Sequence, residues 1–243
     1  MILKYIKLKP LFLSFRDCKL REMSILSRKS AFTLAEVLIT LGIIGIVAAM
    51  TLPVLIQRNN NKITEARLKK FYSEINQAVS LAEVEFGDKE YWFVNYTTPE
   101  EVEKWFMTYI GKNLQILHTD KDAWNRFIVY FPDGSALKQL NSGTSRDWLF
   151  FPSKADKCIK KYGELTSVSS GGLGICSFAF IFNPSGNGMK YHYKKGFEPW
   201  KYAWDGDRDT LLSGCKSSGH YCAALIQLNN WEIPRDYPYK VSY

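Results

Sequence analysis

The sequence predicts an α+β protein that begins with one unusually long helix, on three observations. From Val37 to Ile56 no residue carries a charge. Beyond Asn59-Asn60-Asn61, apolar residues recur at intervals of three and four as far as Ala82. After Gly87-Asp88 the pattern changes to short apolar runs set between turn residues.

The uncharged stretch holds about 20 residues, or about 30 Å of helix, which matches the hydrocarbon core of a bilayer. Glu36 stands near its start. A carboxylate in such a helix costs about 2.5–3.5 kcal/mol at the membrane centre and less near the interface, so a cation from a neighbouring helix is the expected compensation. Secretory signal peptides have shorter apolar regions and end in small residues. Here the far end reads Thr51-Leu52-Pro53-Val54-Leu55-Ile56-Gln57-Arg58, without an A-x-A site, so the span is read as retained. Gly42, Gly45 and Ala49 place small residues along one side, as close helix–helix contacts require. Pro53 lacks the N–H that would bond to the Ala49 carbonyl, so a bend or loosening is expected there. Flanking charge does not orient the span: five Lys/Arg precede it from Arg16 onward, and Arg58, Lys62, Arg67, Lys69 and Lys70 follow it.

The formal charge of +8 is unevenly distributed. Residues 1–31 carry a net +6, which leaves +2 for the remainder. A near-neutral body disfavours bulk attraction to polyanions. Met23 offers an alternative initiator that would discard Cys18 and an apolar tail. The other cysteines, Cys158, Cys176, Cys215 and Cys222, all lie in the C-terminal half. An even number suits one or two disulfides in an exported domain, with three connectivities open, or four free thiols. Cys215–Cys222 is the favoured pair because it closes a short loop. No C-x-x-C or histidine spacing supports a zinc site.

Leu68, Phe71, Tyr72, Ile75, Ala78, Val79 and Ala82 form the stripe of an amphipathic helix, with Glu65 and Lys69 as a favourable (i, i+4) pair. Span and stripe together make one helix of about 55 residues, or about 80 Å. Thr98-Pro99-Glu100-Glu101 opens a second helix, with a Thr cap, Pro in the first turn and Glu placed for a capping box. Val102, Trp105, Phe106 and Tyr109 form its apolar face before Gly111. Arg126–Phe131, Pro132-Asp133-Gly134 and Ala136–Leu140 read as a hairpin. Further strands are expected at Cys176–Phe182 and Tyr221–Leu228, with loops at 166–174 and 213–219.

Ala31-Phe32-Thr33-Leu34-Ala35-Glu36, preceded by Arg28-Lys29, resembles the prepilin cleavage and methylation motif of type IV pilins and type II secretion pseudopilins. The resemblance implies a cut between Ala31 and Phe32 by prepilin peptidase on the cytoplasmic side, then methylation of the new terminus. It implies that Glu36 pairs with the amino terminus of a neighbouring subunit. Gly45 and Pro53 match positions where family members often carry a helix-breaking pair, between which the helix can melt in the filament. Ala31 departs from the Gly that usually precedes the cut, so slower processing is expected. The resemblance also implies a pilin-like fold, a long helix packed on a C-terminal antiparallel sheet. The N-terminus would lie in the cytoplasm and the head outside the bacterial inner membrane. The expected organisation is a leader at 1–31, a transmembrane half-helix at 32–57, an amphipathic half-helix at 58–86 and an α+β head at 87–243.

Within the head, Asp205, Asp207 and Asp209 alternate as calcium ligands do, but Lys216 occupies the place of an EF-hand's closing Glu. A solvated acidic turn is preferred and no metal is assigned. Lys190-Tyr191-His192-Tyr193-Lys194-Lys195, followed by Trp200, Lys201, Tyr202 and Trp204, interleaves cations and aromatics as single-strand or sugar binders do. A surface strand with aromatics packed on one side is the preferred reading, so nucleic acid is disfavoured as a partner without being excluded. His118, His192 and His220 lie in no catalytic or metal spacing, and 171–174 and 214–217 lack a phosphate-loop pattern. The expected function is a pilus or pseudopilus subunit with no cofactor and no enzymatic activity. Its expected partners are related subunits, prepilin peptidase, the inner-membrane assembly platform and the lipid bilayer. A ligand-binding DNA-uptake or adhesive pilin is the alternative, and a membrane-anchored enzyme is less favoured.

Overall fold

The computed structural model describes residues 33–92, 98–141, 143–163, 172–186 and 188–243. The first helix, α1, runs Leu34–Phe86 and continues through Pro53. The chain divides into two compact units, one ending at Val47 and the other spanning Ala48–Tyr243. In the first, the described residues are helical from Leu34 onward and carry their apolar side chains outward. The second contains the remainder of α1 and the whole head.

The predicted stripe is the buried face of α1: Leu68, Phe71, Ile75, Ala78, Val79 and Ala82 are all buried, and Tyr72 partly so. Gly87, at φ 79°, turns the chain out of the helix in a conformation that costs glycine little. α2 (Pro99–Tyr109) begins with a full capping box: Thr98 accepts from the Glu101 N–H, and Glu101 accepts from the Thr98 N–H. It buries Val102, Trp105 and Phe106.

Six strands form one sheet in which each pairs antiparallel with the next: β1 (His118–Lys121), β2 (Phe127–Tyr130), β3 (Ala136–Gln139), β4 (Asp147–Phe151), β5 (Phe178–Phe182) and β6 (Phe197–Pro199). The expected hairpin is β2–β3, in register Ile128↔Lys138 through Tyr130↔Ala136. The period-two alternation of strands divides their side chains between two cores. Phe127, Val129, Leu137, Trp148, Phe150, Phe178 and Phe180 face α1 and α2, whereas Ile128, Ala136, Leu149, Phe151 and Ala179 face the other way. Phe71 stacks on Phe150 at 4.2 Å between ring centroids and meets Phe180 edge-on at 5.0 Å. The second core is covered by α3 (Ala155–Tyr162), which Cys158–Cys176 ties to the turn before β5.

Three expectations fail in the last third of the chain. Tyr221–Leu228 is not a strand; Cys222–Leu228 is a helix, α5. Ala223 and Ile226 enter the main core, while Ala224 and Leu225 enter a third cluster with Leu211 and Cys215. A helix buried from two sides is apolar all round, and a short apolar run then carries no periodicity to separate it from a strand. The expected loop at 213–219 belongs largely to α4 (Arg208–Ser218). Its Ser and Gly content hides the helix, but Asp207 caps it and Gly214 admits the Tyr221 ring, which a Cβ would meet at 2.3 Å. Residues 190–204 are mainly turns with the short β6 between them, and not one surface strand.

A buried ion cluster closes the β1–β2 connection. Asp122 accepts from Arg126 Nε (2.7 Å) and from the Arg126 and Trp124 backbone N–H groups, and Lys138 Nζ lies 2.7 Å from its Oδ2. Burial alone would raise the Asp122 carboxyl, but the bonds from Lys138 and Arg126 outweigh it and hold it at about 2. Removing one member of such a cluster leaves buried charge under-compensated, so Asp122→Ala is expected to cost about 3 kcal/mol in denaturant unfolding of the detergent-solubilised chain. The wild-type contribution is present above the ordinary carboxyl value of 3.8. It is lost as pH falls through about 2, so the deficit of the variant should shrink on acidification over that window.

Candidate functional site

The start of α1 is built around Thr33 and Glu36. Thr33 N–H and Oγ1 both donate to Glu36 Oε2, at 2.8 and 2.9 Å, and the Glu36 N–H donates to Thr33 Oγ1 at 3.2 Å. This is a capping box, and it places the carboxylate in the first turn against the positive end of the helix dipole. Both side-chain bonds use Oε2, so Oε1 has no partner among the described residues. The T-x-x-E spacing at Thr33–Glu36 was available in the sequence as a second reason for Glu36, and Thr33 is the residue that sequence reasoning missed.

Beyond that turn the helix presents apolar side chains on every side. Leu38, Leu41, Ile44 and Ile46 are each more than half exposed, as are Met50 and Ile56. The best eighteen-residue window has a mean hydropathy of 2.4 and none of it is buried. A core helix of a soluble domain would be mostly covered; this surface needs lipid or other helices. Gly42 and Gly45 have no neighbour within 4 Å of where a Cβ would sit, so no contact among the described residues calls for glycine there. Pro53 lies inside the helix. Ala31 and Phe32 lie outside the described residues.

Residues 26–52 match the model of the prokaryotic N-terminal methylation motif, and residues 54–241 match a model described as a family of unknown function (DUF6613). The chain belongs to that family of unknown function. Its N-terminal motif is that of type IV pilins and pseudopilins, and marks a pilin-like or pseudopilin precursor processed by prepilin peptidase. No curated protein and no solved structure matches the chain. The two matched regions meet at Pro53, so the amphipathic half of α1 is matched together with the head and not with the motif.

Several of the head's candidate residues take structural positions. Asp205 accepts from the Asp207 N–H (3.0 Å) and from Thr210 Oγ1 (3.0 Å), while Asp207 Oδ2 accepts from the Asp209 and Thr210 N–H groups. These carboxylates cap α4, and no metal-holding group of His, Cys, Asp or Glu occurs among the described residues. The basic-aromatic strip does not form one surface. His192 is fully buried, and burial, reinforced by Lys201 and Lys195, pushes its imidazole down to about 3. Lys201 reaches Gln227 Oε1 and Glu198, and Tyr191 packs on Trp204. His220 Nδ1 lies 2.7 Å from Ser218 Oγ, which is also 3.0 Å from the Gly214 carbonyl. With the hydroxyl proton given to that carbonyl, the imidazole is the donor to Ser218, so this pair is not an activated nucleophile. Cys215 and Cys222 are bonded to each other across α4 and α5.

The cap at Thr33 yields a direct expectation. Thr33→Val should destabilise the first turn of α1 by about 1 kcal/mol, read as faster amide exchange of residues 34–37 in micelles with the head unchanged.

Proposed function

We propose that this chain is a structural subunit of a type IV pilus or a type II secretion pseudopilus, cut between Ala31 and Phe32 and polymerised through α1. The observation that carries the reading is an apolar helix exposed all round that opens on a carboxylate with one oxygen still uncommitted. The N-terminal amine released by the cut, on another copy, supplies the cation that Glu36 lacks. Residues 1–31 then act as the leader, residues 32–57 span the bilayer, and the 58–86 half of the helix joins the span to the head at 87–243.

The proposed orientation puts the N-terminus in the cytoplasm and the head beyond the inner membrane. Two disulfides joining Cys158 to Cys176 and Cys215 to Cys222 support an oxidising surrounding for the head. Gly42 and Gly45, which fill no close contact among the described residues, serve the approach of neighbouring helices in the filament. A structural role, in preference to a membrane-anchored enzyme, is supported by the use of Asp205 and Asp207 in capping α4 and by the burial of His192 in the core. Related subunits, the peptidase and the assembly platform are the partners this role requires.

Glu36→Ala should leave membrane insertion and processing intact while reducing incorporation into sheared filaments by at least about tenfold, the loss expected when an ion pair worth more than about 1.4 kcal/mol is removed. Wild-type levels of incorporation would refute the registration role. The intact mass of the mature chain should begin at Phe32, and Ala31→Gly should speed its appearance in pulse–chase labelling.

A further inference from the structure

Of the cations that follow the span, Arg67 and Lys70 are held by the head. Arg67 Nη1 donates to the Pro152 carbonyl (2.5 Å) and its Nη2 to the Asp133 carbonyl. Lys70 pairs with Asp133 at 2.8 Å. Arg58 and Lys62 have no acidic partner among the described residues, and both are exposed. They stand one and two turns beyond Ile56, in the same compact unit as the head.

A chain of contacts brings α3 to this level of the helix. Gln57 Nε2 and Asn60 Nδ2 each donate to the Val241 carbonyl (3.3 Å), and Thr64 bonds to the Tyr243 hydroxyl. The Ser242 N–H bonds to the Ile175 carbonyl (3.3 Å), next to Cys176, which is disulfide-bonded to Cys158 in α3. Tyr243 packs in the cluster that contains Ala155 and Cys158. With that face inward, Lys157, Lys160 and Lys161 point to solvent. Asp156, the acid of this helix, is engaged by the Tyr130 hydroxyl.

Elsewhere in the head some cations are paired, Lys89 with Glu83, Lys112 with Glu85, Lys121 with Glu103 and Arg208 with Asp236, whereas exposed lysines such as Lys104, Lys190 and Lys194 are not ion-paired among the described residues. What sets Arg58, Lys62 and the α3 lysines apart is their place, at the level where the chain leaves its apolar span. We propose that Arg58, Lys62 and the α3 lysines form a docking surface for anionic phospholipid headgroups, which holds the head down on the outer leaflet of the inner membrane before assembly. The inference rests on the membrane-anchored, head-outside reading above. Tethering beside the surface makes the contact intramolecular, so weak individual attractions suffice. Each cation near an anionic surface contributes about 1 kcal/mol, or about fivefold in the docking equilibrium. Incorporation into a filament lifts the head away and exchanges these contacts for subunit contacts, so anionic lipid favours the unassembled pool.

The test uses the full chain reconstituted in vesicles of phosphatidylcholine alone or mixed with phosphatidylglycerol, each with a trace of lipid carrying a photoactivatable headgroup. Mass spectrometry then reads the crosslinked sites. Crosslinks at residues 154–163 should require phosphatidylglycerol, fade with salt, and fall about a hundredfold in Lys157→Glu/Lys160→Glu/Lys161→Glu. Lys62→Glu, on the other element, should reduce them without touching α3, and Lys190→Glu/Lys194→Glu should leave them unchanged. Equal crosslinking in phosphatidylcholine alone, or in the triple variant with both disulfides intact, overturns the proposal. Salt-dependent binding of duplex DNA through the same lysines, without dependence on phosphatidylglycerol, assigns them to nucleic acid and also overturns it. Alkaline extraction and protease protection of the same vesicles report the anchor and its orientation. A chain that washes out, or a head on the wrong side, refutes the anchored reading itself, which is distinct from loss of lipid dependence in a correctly anchored chain.

Discussion

The stripe of α1 against the phenylalanine face of the sheet is the contact on which the rest of the head depends. Phe71 is its centre, stacked on Phe150 and edge-on to Phe180. Burying side chains of that size is worth about 1.5–3 kcal/mol each, and aromatic pairing geometry adds to it. One packed helix face therefore fixes where β4 and β5 lie, and through their ladder the other strands.

Polar side chains of α1 then set the register that apolar contacts leave loose. Asn76 donates to the Phe197 carbonyl and accepts the Phe197 N–H, both at 2.9 Å, as a neighbouring strand would. The outer edge of β6 is thereby closed by a helix side chain, one of the ways in which an exposed strand edge is protected from pairing with another molecule. Arg67 binds the Pro152 and Asp133 carbonyls near the other end of the stripe, and Glu65 accepts the Ile233 N–H at 2.8 Å. Glu65, expected to pair with Lys69, holds the C-terminal segment to the helix instead.

The same helix meets two solvents. Downstream it has one apolar face and a polar back; upstream it is apolar all round and left uncovered by the described residues. The head pairs many of its polar groups through caps and the Asp122 cluster, though both ring nitrogens of His192 are buried without a hydrogen-bond partner, whereas the N-terminal segment leaves apolar surface and one carboxylate oxygen unmatched among the described residues. A chain with one packed end and one exposed apolar end is suited to anchoring and assembly, in keeping with the methylation motif at residues 26–52.

Features that depend on local chemistry were legible in the sequence: the uncharged span, the stripe from Leu68 to Ala82, the capping box at Thr98 and the β2–β3 hairpin. Each rests on near neighbours along the chain, so its signal survives without knowledge of the fold. β4 was not legible because Asp147–Phe151 is buried on both faces and loses its alternation, and α5 was mistaken for a strand for the same reason. The basic-aromatic strip was legible as a pattern and misleading as a surface, since burial of His192 and the bond from Lys201 to Gln227 are long-range facts. Sequence alone determined what this protein must expose, because a charge-free helix has no way to hide its surface. Only the tertiary structure decided which lysines remain unpaired and where they gather, because pairing depends on residues that are far apart in the chain and adjacent only once it folds.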